Sequence, residues 1–166
     1  MNSLQINNIL KRKLGHVFKG VYAIDQIAEV KPSAPAAYVI NTKPITSFGE
    51  HWLAVYVTSN RKAVYFDSFG RPPRHTQIIK FLKKHSTKRT FSRKIIQNPF
   101  TVTCGEHCIV FLSRFHRFKQ IRLAVKPYGP NLIKNDLWAL KFVTKTYRVK
   151  LPLFPTFNVG SSTFSM

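Results

Sequence analysis

Apolar residues along this chain repeat with two periods, and each period marks a different kind of element. Between Ser3 and Leu14 stand Leu4, Ile6, Ile9 and Leu10, the last two three and four positions after Ile6, which predicts a helix; Lys11-Arg12-Lys13 and then Gly15 close it. Pro32 and Pro35 mark a loop, and Ala36–Asn41 reads as a short buried strand. From His51 to Thr58 the pattern changes again. Trp52, Ala54 and Tyr56 alternate with Leu53, Val55 and Val57, so both faces are apolar and the strand belongs at the centre of a sheet covered on both sides. Ser59-Asn60-Arg61 supplies a turn before Ala63-Val64-Tyr65-Phe66, which predicts a hairpin over His51–Asp67, ended by Gly70 and Pro72-Pro73.

The second half continues with a helix over Thr76–His85, where Ile78, Ile79, Phe81 and Leu82 stand among lysines. Phe91–Ile96 reads as a strand, and Pro99 marks the loop after it. From Cys104 to Phe118 a largely apolar run without proline predicts a buried helix starting at or next to Cys104. A last helix is expected over Asn135–Tyr147, with Asn135 or Asp136 as N-cap and Leu137, Trp138, Leu140 and Phe142 inward. The Pro/Ser-rich tail from Pro152 reads as irregular. With no internal repeat and no long linker, residues 1–166 are expected to form a single α+β domain, a central mixed β-sheet flanked by helices.

Composition adds a partner to this picture. The 166 residues carry 27 Lys plus Arg against 6 Asp plus Glu, a net charge of +21, while 44% are hydrophobic. The charge therefore sits on a folded surface and favours a polyanion. No stretch approaches the ~18 apolar residues of a membrane span, so nucleic acid is the expected partner and a membrane is not. Lys11-Arg12-Lys13, Lys83-Lys84, Lys88-Arg89, Arg93-Lys94 and the run Arg114 to Arg122 suit non-specific phosphate contacts, and Lys83, Lys84, Lys88, Arg89, Arg93 and Lys94 are the candidate DNA-binding residues. The first residues lack the apolar core of a secretory signal, which reads as an intracellular protein.

Two cysteines, Cys104 and Cys108, make no disulfide scaffold. A cysteine at a helix N-terminus gains thiolate character from the unpaired amides and the dipole there, and thiolate is the reactive form. Taken alone, Cys104 is more often a buried structural thiol. Its neighbourhood supplies more: Gly105 removes a side chain that would crowd an approaching backbone, and the Cys104 amide can donate to a developing oxyanion. The hairpin brings His51 and Asp67 to the same end of adjacent strands, where a carboxylate holds an imidazole in one tautomer. Asp67 also suits a simple turn cap. Gln97, on the loop approaching Cys104, offers a second oxyanion donor. Cys104, His107 and Cys108 share a helix turn, but a structural metal site wants four ligands and no good fourth is in view, so no metal is expected.

Several segments together carry a resemblance. Phe-Lys-Gly-Val-Tyr (18–22), Val-Ile-Asn-Thr (39–42), Gly-Glu-His-Trp (49–52), Tyr-Phe-Asp-Ser-Phe-Gly (65–70), Gln97 and Cys-Gly-Glu-His-Cys-Ile-Val-Phe-Leu (104–112) resemble the adenain-like adenovirus maturation proteases and their relatives in large self-synthesising DNA transposons. The likeness runs in order from about Val17 to Phe118. It implies a cysteine endopeptidase of papain-like, ubiquitin-like-protease architecture. In that role Cys104 would be nucleophile, His51 base and then acid, Asp67 orienter and Gln97 oxyanion donor, with Trp52 and Gly105 beside the substrate.

The resemblance further implies viral capsid or core precursors as substrates, DNA as activator, no cofactor for the chemistry, and a monomer working in the host nucleus and the virion. His107 falls where the family has an aromatic or apolar residue, which assigns it to packing. Two departures stand out. Asp67 occupies a position where the adenovirus enzymes carry Glu, as do neither the transposon relatives nor the proteases that process ubiquitin-like proteins. No surface thiol is available for the disulfide-linked peptide activator of adenovirus enzymes, so any peptide activator would bind without that link. The alternatives are a protease for ubiquitin-like tails and a nucleic-acid-binding module with inert cysteines.

Overall fold

The computed structural model describes residues 1–47 and 49–148; the tail from Pro152 lies outside the described residues. Helix α1 (Ser3–Leu14) begins with a reciprocal cap. The Asn2 side chain accepts from the Gln5 amide at 2.9 Å and the Gln5 side chain accepts from the Asn2 amide at 3.1 Å. Its last turn carries Lys11, Arg12 and Lys13 against the carbonyl end of the helix dipole, and Gly15, at φ +56°, turns the chain away.

Five strands follow in chain order across one sheet: β1 (Phe18–Ala23), β2 (Ala36–Asn41), β3 (Trp52–Val57), β4 (Lys62–Phe66) and β5 (Lys88–Phe91). The outer pairs β1–β2 and β4–β5 are parallel, and β2–β3–β4 is antiparallel. The predicted hairpin is present, with Ala54 opposite Phe66 and Val57 opposite Ala63. Both faces of the sheet are covered, as the unbroken apolar pattern of β3 requires. Ala54 and Tyr56 pack with Ile6, Ile9 and Leu10 of α1 and with the long helix α3 (Cys104–Phe118). Leu53, Val55 and Val57 face Ile78, Phe81 and Leu82 of α2 (Thr76–His85). The rings of Phe66 and Phe111 stack at 4.2 Å and 9°, which fastens the end of β4 to the middle of α3.

The structure departs from the sequence reading in two elements. The strand expected over Phe91–Ile96 lies at Lys88–Phe91, where Lys62–Tyr65 of β4 offers parallel partners. The segment after it leaves the sheet because its amides are needed elsewhere: Ile96 and Gln97 donate to the Ser68 carbonyl at 2.9 and 3.2 Å. The last helix, α5 (Leu132–Tyr147), starts three residues early, capped by Asn131, whose side chain accepts from the Lys134 amide at 3.0 Å. Asn135 and Asp136, the expected caps, are buried inside it, and both bond to loops outside the helix. A short helix, α4 (Ile121–Ala124), connects α3 towards α5, and the exposed segment 71–75, with Pro72 and Pro73, connects the hairpin to α2. Among the described residues no helix is long and apolar enough to cross a membrane.

Candidate active site

His51 immediately precedes β3 and Asp67 immediately follows β4, so antiparallel pairing sets the two side by side. Nε2 of His51 lies 2.8 Å from Oδ1 of Asp67. The same carboxylate oxygen accepts the Phe69 amide at 2.9 Å, and the Asp67 carbonyl accepts the Gly70 amide at 2.9 Å. Turn-capping and imidazole-holding, the two readings of Asp67, are thus one arrangement: the turn fixes the carboxylate, and the carboxylate fixes the ring. Phe69 stacks on the imidazole at 4.9 Å and 24°.

With Nε2 committed to Asp67, Nδ1 is the ring nitrogen left for Cys104, which lines the same cleft. Burial works against a charge on His51, but the hydrogen bonds to Asp67 and Cys104 and the negative character of both outweigh it, raising its pKa from 6.5 to about 9. Cys104 is the first residue of α3 and only 7% exposed. Cys108, one turn on, is fully buried against the Trp52 carbonyl (3.4 Å), and burial pushes its thiol well above the usual range.

Gln97 reaches the same place from the other side. Its Oε1 accepts from the Ser68 hydroxyl at 2.5 Å, and one proton of Nε2 goes to the Thr101 carbonyl at 2.8 Å. A primary amide carries two such protons, so the second remains for a ligand. His51, Asp67, Gln97 and Cys104 all line one cleft of about 350 Å³, with Arg71, Arg74 and His75 at its rim. A second groove, about 700 Å³, opens on the other side of Cys104 between Tyr22, Ile45 and Trp52. Cys104, with Glu50 and Val102, lines both grooves.

Gly105 is closely packed. A Cβ there would meet Ile6 at 3.2 Å, Met1 at 3.3 Å and Trp52 at 3.4 Å, and Gly105 lines neither groove. Its smallness lets α1 and Trp52 close on the head of α3. Trp52 itself is half-buried and lines the larger groove. The basic residues singled out for DNA, Lys83, Lys84, Lys88, Arg89, Arg93 and Lys94, are all exposed. Some of their donors already have partners: Lys84 Nζ donates to the Ala28 carbonyl at 2.8 Å, and Lys94 Nζ to the carbonyls of Val125 and Tyr128. The sequence reading missed Phe69 and the Ser68 hydroxyl. Both lie in the 65–70 motif that carries Asp67, and that adjacency was the available signal.

A five-stranded mixed sheet, with a cysteine at the head of a core helix and a His–Asp pair at the end of the facing hairpin, makes this an α+β fold with a candidate cysteine-based active site. The family model described as adenovirus endoprotease matches residues 18–134, and the chain belongs to that family. Among individual relatives, the protease of Porcine adenovirus A serotype 3 is 30% identical over 104 residues, covering 54% of this chain and 51% of that protein. The chain thus spans about half the length of that relative. The protease of Avian adenovirus 8 is 22% identical over 178 residues, covering 96% and 87%. Crystal structures of the ASFV protease share the fold. One gives a TM-score of 0.53 at 18% identity, over 87% of this chain and 66% of that one; its selenomethionine form gives 0.50 at 19%, over 69% and 45%.

Proposed function

We propose that this chain is a viral or transposon-encoded cysteine endopeptidase. The observation that carries the reading is the convergence in one cleft of Cys104, a His51 held at 2.8 Å by Asp67, and the Gln97 amide. Family membership supports the same class of chemistry. His51, made more basic by its partners, takes the proton of the Cys104 thiol beforehand and holds it, and the sulfur then bonds to the scissile carbonyl carbon. The carbonyl electrons move onto oxygen, where the Cys104 amide and the free Gln97 proton receive them. His51 then gives its proton to the departing amine, leaving an acyl thioester. In the second half His51 takes a proton from water, hydroxide adds to the thioester, and Cys104 leaves as the thiol once the proton returns.

The natural substrates in this reading are capsid or core precursors cleaved as particles mature in the host nucleus and the virion, by a protease acting as a monomer. DNA would serve as a non-specific activator or track through the exposed basic residues, and a peptide activator, if one is used, would bind without a disulfide. Seven positions separate Gln97 from Cys104, where proteases for ubiquitin-like tails usually place six, which favours the viral branch.

The test is alkylation and hydrolysis together. Iodoacetamide at neutral pH should modify Cys104 and spare the buried Cys108, and the reaction should slow sharply in His51→Ala. Cys104→Ala and His51→Ala should each lose nearly all hydrolysis of a capsid-type peptide, because nucleophile and base act as one unit. Turnover by Cys104→Ala at the parental rate would refute the assignment, and preference for ubiquitin-like fusions over capsid-type peptides would move the chain to the other branch.

A further inference from the structure

The molecule contains a second His–Asp pair, and the mechanism above does not use it. Asp136, on α5 and fully buried, accepts four hydrogen bonds. Oδ1 takes the Thr103 hydroxyl at 3.0 Å and lies 2.8 Å from His107 Nε2; Oδ2 takes the Thr101 hydroxyl at 2.8 Å and the Asn98 amide at 3.3 Å. On its other side, His107 Nδ1 lies 3.0 Å from the Tyr128 hydroxyl. Tyr128 in turn is packed edge-on against Trp138 at 5.2 Å. Every donor that Asp136 binds belongs to the stretch between Gln97 and Cys104 or to the first turn of α3.

Both oxyanion donors depend on that stretch. The Thr101 carbonyl holds one Gln97 proton and so sets the direction of the other. Thr103 is the N-cap of α3, a position where threonine ordinarily turns its hydroxyl onto the first amides of the helix. Here no such bond forms: Thr103 adopts φ −95°, ψ 13° and its hydroxyl points to Asp136. The Thr103 hydroxyl thus accepts from none of the first amides of α3.

We propose that Asp136 is a positioning residue for the oxyanion hole, orienting Gln97 through Thr101 and, by holding the Thr103 hydroxyl, fixing the Thr103–Cys104 peptide whose N–H is the second donor. The inference rests on the reading of Cys104 as nucleophile and Gln97 as donor. It separates two reactions of the same sulfur. Alkylation by iodoacetamide develops no oxyanion on a carbonyl, whereas peptide hydrolysis does.

Asp136→Asn should therefore lower kcat by roughly 10–100-fold with KM within about twofold, while Cys104 alkylation stays within about threefold of the parent. Unchanged kcat, or equal loss of hydrolysis and alkylation, would overturn the proposal, the second because it signals general collapse of the site. Should Asp136→Asn fail to fold, the hydroxyl of Thr103 decides: Thr103→Val should lose roughly tenfold in kcat and Thr103→Ser should keep the parental value. Parental kcat in Thr103→Val would overturn it equally. A parent that hydrolyses no peptide would instead sink the protease reading, so the two failures are distinct.

Discussion

At the scale of single residues, His51 couples the site to pH. Its pKa is raised from 6.5 to about 9, so the folded protein binds this proton more tightly than the unfolded chain does. The resulting stabilisation is complete below about pH 6.5 and is lost as pH rises through about 9, and the shift corresponds to something on the order of 3 kcal/mol. The stability difference between the parent and His51→Ala, measured by urea unfolding, should be largest near about pH 6 and shrink steadily towards about pH 10. A difference that stays constant over that range would mean the imidazole is not held charged between Asp67 and Cys104.

At the scale of elements, the turn after β4 carries the load of alignment. Gly70, at φ +67°, would place a Cβ 2.6 Å from the Arg93 carbonyl oxygen. Gly70→Ala should cost roughly 1–3 kcal/mol and lower kcat as well, because the displaced chain leads directly to Gln97. Gly15→Ala makes the useful contrast. Its φ is +56° but nothing lies within 4 Å, so it should lose about 1 kcal/mol through the backbone alone and leave turnover intact. Thermal unfolding and steady-state kinetics on both variants check the pair.

How far elements were legible follows from the same local-versus-distant distinction. The double apolar alternation of β3, the turn at 59–61 and the unbroken run after Cys104 are local signals, and they placed the hairpin and α3 correctly. The position of β5 was not legible, because its partners are Lys62–Tyr65 on another element and its own residues Lys88 and Arg89 are charged. Asn131 and Asn135 both suit an N-cap by residue type. Only the loop at Gly129, whose amide and carbonyl both bond the Asn135 side chain, decides between them. Asp136 was hidden for a related reason: its partners lie 29 to 38 positions away.

At the scale of the whole molecule, a net charge of +21 makes some DNA binding at low salt a weak test. The slope is informative. With ~5 phosphate contacts, a fourfold rise in salt should weaken binding roughly 500-fold. Near physiological salt, duplex DNA should accelerate cleavage of a basic, DNA-bound precursor more than cleavage of a short neutral peptide, since only the former shares the track. Changing Lys83, Lys84 and Lys88 together to Glu should weaken that gain and spare peptide turnover. Equal rates with and without DNA on both substrates, at salt where binding is separately confirmed, would remove DNA from catalysis.

The proline-bearing segment 71–75 lies exposed between the hairpin and α2, and it divides the machinery evenly. His51 and Asp67 precede it; Gln97 and Cys104 follow it. A chain severed there yields one fragment with the base but no nucleophile and another with the nucleophile but no base. Neither fragment can cover the sheet by itself, because β4 pairs with β5 and Phe66 stacks on Phe111 across the cut. Given the proposed activity, peptide hydrolysis would then appear only when the two halves reassemble, so the cut chain would serve as a split reporter whose signal is its own chemistry.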